Sequence, residues 1–291
     1  MKDELLVDKH LARRSFERAA ATYDAAAVLQ DEVCRRMLAR LDYIKIQPAA
    51  ILDAGSGTGN ALAALGKRYP QARIIALDIA LAMLRRARRR VPWWKSLLAR
   101  RPDAVCGDIE RLPLANAAVG MVWSNLTLQW VNEPQRALAE LQRVLASGGL
   151  LMFSTFGPDT LKELRRAYRD VDRYTHVNRF IDMHDLGDML VASGFADPVM
   201  DMEYLTLTYD DMRQLMRELK AIGAHNMTRG RPVGLSGKRL LANVSRNYEM
   251  FRRDGKLPAT FEVVYGHAWK PQPRLGPTGR PVIDIKPEKR F

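Results

Sequence analysis

The sequence predicts an α/β fold: a mostly parallel sheet with an antiparallel edge, helices on both faces, and a helical lid. Three observations lead there. Between Ala49 and Phe156, short apolar runs alternate with amphipathic stretches of helical length, the pattern of a parallel sheet buried on both sides. The first run ends in the turn ILDAGSGTGN, Ile51 to Asn60, where Gly55, Gly57 and Gly59 alternate with small residues. Beyond Phe156 the pattern changes to helical stretches interleaved with two β-rich ones, VMDMEYLTLTY and TFEVVYGHAW.

Taken in order, roughly Leu5 to Leu41 reads as helical, because Phe16, Ala19, Ala20 and Tyr23 recur at three- and four-residue spacing. AAILDA is a buried first strand, followed by a helix through NALAALGKRY. ARIIALD is the second strand and ALAMLRRARRR the second core helix, with Ala80, Leu84, Ala87 and Val91 on one face. DAVCGD, VGMVWSN and GLLMFSTF are the third, fourth and fifth strands, with a helix at PQRALAELQRVL before the last. Helices around DTLKELRRAY and MHDLGDMLVASG lead to VMDMEYLTLTY. Two more, about Asp210–Ala224 and Ser236–Arg253, precede the final strand. The expected divisions are a helical cap at 1–42, a ligand-binding core at 43–157, lid helices and terminal strands at 158–269, and a tail at 270–291. The tail is rich in Pro and Gly and is expected to be disordered.

At 291 residues the chain can bury a sizeable core. No apolar run approaches the ~20 residues of a membrane span. MKDELLVDKH carries both charge signs and lacks the apolar segment of a secretory signal, so the cytoplasm is the expected location. Cys34 and Cys106 fit a reducing compartment and form no metal-ligand spacing; His184, His225 and His267 form none either. The formal charge of +13 calls for an acidic partner or substrate and leaves nucleic acid, anionic lipid and acidic protein open.

The glycine turn brings bare backbone close to a ligand. Counted from Gly55, a dinucleotide fingerprint would need its third glycine where Asn60 stands, and no Gly-Lys-Ser/Thr follows for a phosphate loop. A ligand without pyrophosphate fits better. Asp78 ends the second strand, 19 residues after Gly59, where an acid accepts ribose hydroxyls. Asp108, in CGDIERLPL, ends the third strand, placed to accept from an adenine amino group. Together these describe an adenosine pocket with no phosphate clamp, in a Rossmann-like sheet.

LDAGSGTGN, Asp78 and GDIERLPL resemble the cofactor motifs of class I S-adenosylmethionine-dependent methyltransferases. The resemblance implies that Asp53 orients the turn and that Gly55, Gly57 and Gly59 admit the methionine part of S-adenosylmethionine. It implies that Asp78 takes the ribose, and Asp108 with the Ile109 backbone the adenine. SNLTLQW, Ser124 to Trp130, resembles the matching stretch of carboxylate methyltransferases, with Asn125 beside the sulfonium and Gln129 and Trp130 near the acceptor. Trp130 is equally readable as a core aromatic. The Asn/Asp-Pro-Pro-aromatic motif frequent in nucleobase methyltransferases is absent.

The likeness extends through RRSFERAAATYDAAAVLQ, HVNRFIDMHDLGDMLVASGFADPVMD, LTLTYDD, LKAIGAHN, GLSGK and LPATFEVVYGHAW to the malonyl-acyl-carrier-protein O-methyltransferase family of biotin synthesis. Ser56 departs from that family, many members of which have Cys there. The resemblance implies methylation of the free carboxylate of malonyl-acyl-carrier protein, or malonyl-coenzyme A, to the ester that primes pimeloyl synthesis. Phe16 and Tyr23 lie on a helix that folds over the cofactor in that family, and Tyr23 is the expected wall of the reacting centre. Arg179, with His176 nearby, is the expected reader of the malonyl carboxylate. Between Ile79 and Pro102 there is no acid, but Arg85, Arg86, Arg88, Arg89, Arg90, Lys95, Arg100 and Arg101 are present, an expected docking strip for the acidic carrier. Three other readings remain open: an aconitate-type polycarboxylate methyltransferase, a hydroxylase or respiratory-complex assembly factor on the same fold, and an RNA methyltransferase.

Overall fold

A computed structural model describes residues 6–90, 101–172, 174–224, 226–231 and 237–272. Its strands bury alternate side chains on opposite faces, as their near-continuous apolar sequences require. β1 (Ala50–Ala54), β2 (Arg73–Asp78), β3 (Asp103–Cys106), β4 (Val119–Ser124) and β5 (Leu145–Phe156) run parallel. β6 (Ala196–Tyr209) and β7 (Leu257–Trp269) are antiparallel to each other, and β7 is antiparallel to β5. The sheet order is β3-β2-β1-β4-β5-β7-β6, so the last strand enters between two earlier ones. The expected antiparallel edge is thus built from an inserted strand and an outer one.

Ile51, Met121, Trp123, Leu150 and Met152 face one core, while Leu52, Val122, Leu151 and Phe153 face the other. The first core is covered by α3 (Val28–Arg40), α4 (Leu62–Arg68), α7 (Lys162–Tyr168) and α10 (Lys238–Glu249), through Val33, Met37, Leu65, Leu164 and Val244. The second is covered by α6 (Pro134–Val144) and α8 (Met183–Ala192), through Leu138, Leu141 and Leu190. α5 (Leu81–Arg90) packs Leu84 and Ala87 onto Ala76.

The N-terminal segment, expected as one helical stretch, is three helices: α1 (Lys9–Ala19), α2 (Tyr23–Ala26) and α3. Asp8 caps α1, its carboxylate accepting from the Leu11 N–H at 3.0 Å. The first break follows from Thr22, whose hydroxyl donates to the Ala221 carbonyl at 2.9 Å with the Ala19 carbonyl 3.2 Å away, sharing its one proton between them. Such side-chain bonds compete with a continuing helix. Ala221 ends α9 (Met212–Ala221), so this bond also ties the cap to the lid. β5 begins at Leu145, four residues earlier than the sequence pattern indicated. Lys270 extends the pairing, with Gly148 N–H donating to Lys270 O and Lys270 N–H to Gly149 O, both at 2.8 Å. No helix among the described residues is long and apolar enough to cross a membrane. The expected disordered tail lies outside the described residues from 273 onward, as do Val91, Lys95, Arg100 and His225.

Gly266 in β7 lies opposite Phe153 of β5, and a Cβ there would overlap the Phe153 ring. Gly266→Ala is expected to lower stability by about 1–3 kcal/mol, the usual range for overpacking a filled core. A denaturant midpoint indistinguishable from that of the parent chain would contradict this packing.

Candidate active site

The site begins with one carbonyl. Leu77 O, near the end of β2, accepts from Gly55 N–H at 2.8 Å and Ser56 N–H at 2.9 Å. The next residue, Asp78, accepts from Gly57 N–H through Oδ2 at 2.9 Å and from Ala80 N–H through Oδ1 at 2.8 Å. The glycine turn is therefore fastened to the second strand by main chain and by carboxylate. Gly55 has φ +84°, and a Cβ there would occupy the position of the Thr127 side chain. Gly59, at the same φ, does something else. Its Cβ would meet Leu62 and Ala87, so it lets the turn close against α5.

Gly55 and Gly57 line a cleft of about 100 Å³ together with Asp78, Ile79, Asp108, Ile109 and Asn125. Lys9, Phe16 and Tyr23 cover it from the N-terminal cap. Gly59 is not among the residues lining this cleft and packs against Leu62 and Ala87. Lys9 Nζ ion-pairs with both Asp108 and Glu110, and Asp108 Oδ1 accepts from the Glu110 N–H at 3.0 Å. Glu17 of α1 accepts from the N–H groups of Leu81 and Ala82, at 2.7 and 3.0 Å, capping α5 from across the cleft. The cap is thus latched at both ends of the cleft.

On the other side of the turn lies a cavity of about 40 Å³, lined by Tyr23, Gln30, Cys34, Asp53, Ser56 and Asn125, among others. Asp53 is 2% exposed, and Asp53 Oδ2, Ser56 Oγ and Gln30 Oε1 are buried without a hydrogen-bond partner. Buried acceptors without donors are costly. Burial, and secondarily the Asp78 carboxylate, push the Asp53 carboxyl up to about 8. Burial also raises Asp78 to about 6, opposed by the N–H groups of Ala80 and Gly57. A small, acceptor-lined recess beside a glycine turn suits a ligand bearing a cationic donor. An α-ammonium meets that requirement, so these residues fit the methionine end of S-adenosylmethionine. Among the described residues no group of three His, Cys, Asp or Glu could hold a metal.

Beyond the cleft lies a larger, mostly apolar chamber of about 390 Å³. Phe16, Tyr23, Leu126 and Trp130 line both chamber and cleft, and Tyr23 also lines the small recess. Trp130 meets Phe16 edge-on, centroids 5.3 Å apart; half-buried, it lines chamber and cleft and also packs on the small cluster of Val7, Ala12 and Met227. Trp123 of β4 is by contrast fully buried, as is Phe153 of β5. Leu126 has φ +50°, a conformation that costs a non-glycine residue ~1 kcal/mol or more. Its N–H is held by Ser154 O at 3.1 Å and Ser154 Oγ at 3.0 Å, which keeps Asn125 and Thr127 against the turn. Burial, with Asp78, Asp31 and Asp24 nearby, raises the Tyr23 phenol above its ordinary value, so it stays a donor.

Arg179 is placed differently from the expectation. It is exposed and lines an outer groove, not the chamber, because the side chains that turn inward from its segment are those of His176, Val177, Asn178 and Phe180. His176 stacks on Tyr168, centroids 3.7 Å apart, and its Nε2 lies 2.8 Å from Asp172 Oδ1. Arg231 is the one arginine or lysine among the described residues that line the chamber, and Asn178, 9% exposed, has an unpartnered Oδ1. Neither stood out in the sequence: Arg231 lacks a motif, and Asn178 sits one position from the arginine that attracted attention. His184 is exposed and bonded to Asp182.

A family model described as a methyltransferase domain matches residues 52–153. The chain is 59% identical over 282 residues to the malonyl-[acyl-carrier protein] O-methyltransferase of Gallionella capsiferriformans, covering 97% of both. It is 58% identical to the protein of that name from Nitrosospira multiformis, covering 92% of this chain and 91% of that one. The one from Methylovorus sp. is 57% identical, covering 98% and 97%. Among solved structures, the Bacillus subtilis YcgJ protein superposes with a TM-score of 0.58 at 14% identity, over 82% of this chain and 99% of that one. The cyclase SpnF superposes at 0.52 and 20% identity, over 83% and 82%. These structural likenesses establish the fold; activity rests on the site.

A carboxyl with a raised value is protonated in the fold where the free group is ionised, and a bound ammonium pulls the value back down. Binding of S-adenosylmethionine at pH 7 is therefore expected to release up to about one proton. Its affinity should rise from pH 6 until the ligand's own α-amino group deprotonates near pH ~8. Calorimetry in buffers of different ionisation enthalpy counts that proton. Asp53→Asn should weaken binding by about tenfold or more while leaving the unliganded protein no less stable at pH 8. A melting temperature that falls with unchanged affinity would make Asp53 purely structural.

Proposed function

This chain belongs to the malonyl-[acyl-carrier protein] O-methyltransferase family, and we propose that it methylates the free carboxylate of malonyl-acyl-carrier protein, or malonyl-coenzyme A, from S-adenosylmethionine. The product is the malonyl methyl ester that primes pimeloyl synthesis for biotin. The full-length likeness carries this reading, because it runs through the segments that build the acceptor chamber as well as the cofactor turn. It favours a carrier-bound malonyl group over the aconitate-type acid and the hydroxylase or assembly-factor alternative.

The bound cofactor supplies a methyl group activated by a sulfonium. The rest is positioning. Gly55 and Gly57 admit the amino-acid end, with Asp53 as acceptor for its ammonium. Asp78 lines the cleft and accepts from the ribose hydroxyls, and Asp108 and the Ile109 backbone flank the adenine position. The substrate carboxylate is ionised at neutral pH and requires no general base. What it requires is alignment and exclusion of water. Tyr23, Phe16, Leu126 and Trp130 provide the shared wall where donor and acceptor meet, and Asn125 lines the donor side. We assign the reading of the carboxylate to Arg231, helped by Asn178, in place of Arg179.

The carrier is the proposed macromolecular partner, and the cytoplasm the proposed location. Arg85, Arg88 and Arg89 of α5 are exposed and make no ion pair among the described residues, whereas Arg90 is held by Asp24 at 2.6 Å. The free three are proposed to steer the acidic carrier at long range.

Methyl-labelled cofactor should pass its label to malonyl-carrier protein and not to aconitate or RNA; label on RNA alone would overturn the reading. Tyr23→Ala should cut kcat by about a hundredfold, the order expected when reacting groups lose alignment. Arg231→Gln should raise KM for malonyl thioesters by about tenfold, whereas unchanged KM would remove it from recognition. Reversing Arg85, Arg88 and Arg89 to Glu should slow carrier association at low salt and spare malonyl-coenzyme A, as measured by stopped flow.

A further inference from the structure

The outer groove, about 1070 Å³, is lined by three arginines, Arg165, Arg169 and Arg179. None of them has a carboxylate within ion-pair distance among the described residues. The acids of the groove are occupied elsewhere: Asp172 faces His176 at 2.8 Å, and Asp182 caps α8 by accepting from His184 N–H at 2.8 Å. Asp185 is the exception, lining the groove without an ion pair. Arg165 is held in place through two carbonyls, Pro158 O at 2.7 Å and Thr160 O at 3.1 Å. Burial holds the Arg165 guanidinium below its ordinary value; the Asp159 carboxylate opposes that shift, and the Arg179 charge adds to it, so two guanidinium groups of one groove feel each other.

The groove is not an isolated surface feature. Tyr168, His176, Val177 and Phe180 line it on one side and the acceptor chamber on the other. An acyl group in the chamber, attached to a long arm that passed this wall, would bring the arm to the arginines. We propose that Arg165 and Arg179 bind the phosphodiester of the carrier protein's pantetheine arm, fixing how deep the thioester reaches into the chamber. This rests on the carrier-bound acceptor proposed above. Paired guanidinium groups match phosphate oxygens in fork geometry, and a phosphate removes their mutual repulsion. The assignment also explains why Arg179 lies outside the chamber: it would read the arm, not the carboxylate.

The test is equilibrium binding, independent of methyl transfer. Calorimetry compares pantetheine with 4′-phosphopantetheine on the full chain. The phosphorylated arm should bind about tenfold or more tightly to the parent protein, and most of that ratio should vanish in Arg179→Gln. Arg165→Gln should do the same where it folds; Arg179, exposed and with no side-chain hydrogen bond or ion pair among the described residues, decides the matter if it does not. Holo-carrier protein should displace 4′-phosphopantetheine, and apo-carrier should not. Equal affinity for the two arms, an unchanged ratio in Arg179→Gln, or displacement by coenzyme A but not by holo-carrier would each overturn the proposal. A protein that discriminates the phosphate yet methylates no malonyl thioester would remove the proposed reaction and keep the groove.

Discussion

The Leu77 carbonyl, accepting two backbone N–H groups from the glycine turn, sets the position of everything that follows. Once the turn is bonded to β2, Asp78 is brought against Gly57, and β1, β2 and β3 present their carboxyl ends as one rim. The cost is concentrated in the acids. Asp53 and Asp78 sit in neighbouring strands, both buried, and their charges oppose each other. A fold optimised only for stability would not keep such a pair. Its presence beside unpaired acceptors is a sign that the cleft is completed by something positive.

The second organising feature is the wall between donor cleft and acceptor chamber. It is built from parts distant in sequence: Phe16 and Tyr23 from the cap, Leu126 and Trp130 from the loop after β4. Leu126 holds an unfavourable backbone conformation, supported by two bonds from Ser154, a price that a loop serving only to connect strand and helix would not need. Since a carboxylate needs no deprotonation, the chemistry asks little of side-chain acidity and much of placement. The cap is correspondingly well secured, through Lys9 to Asp108 and Glu110, Glu17 to α5, and Thr22 to Ala221.

What could be read from the sequence divides along the same line. Asp78 and Asp108 were legible because a strand followed by an acid at its end has a fixed place in a parallel sheet. The strands themselves were legible from their apolar runs. Gly55, Gly57 and Gly59 look alike in sequence, and only the neighbours of a missing Cβ show that Gly59 packs against helices while Gly55 and Gly57 line the cleft. Arg179 and Arg231 fell in segments without periodicity, where nothing in the spacing tells which side of a wall a side chain faces. The first break in the cap leaves no local signal, because Thr22 bonds to a residue 199 positions away.

The position of β7 bears on how the chain acquires its shape during synthesis. The residues of β1 to β5 lie consecutively and can assemble as they leave the ribosome, N-terminal units generally folding first. β6 emerges next yet has no partner, because its neighbour in the finished sheet is β7, some fifty residues later. Until then β5 offers an open apolar edge, and the tethered β6 must stay clear of it. A nascent chain stalled in that interval would expose a strand edge prone to pairing with other copies.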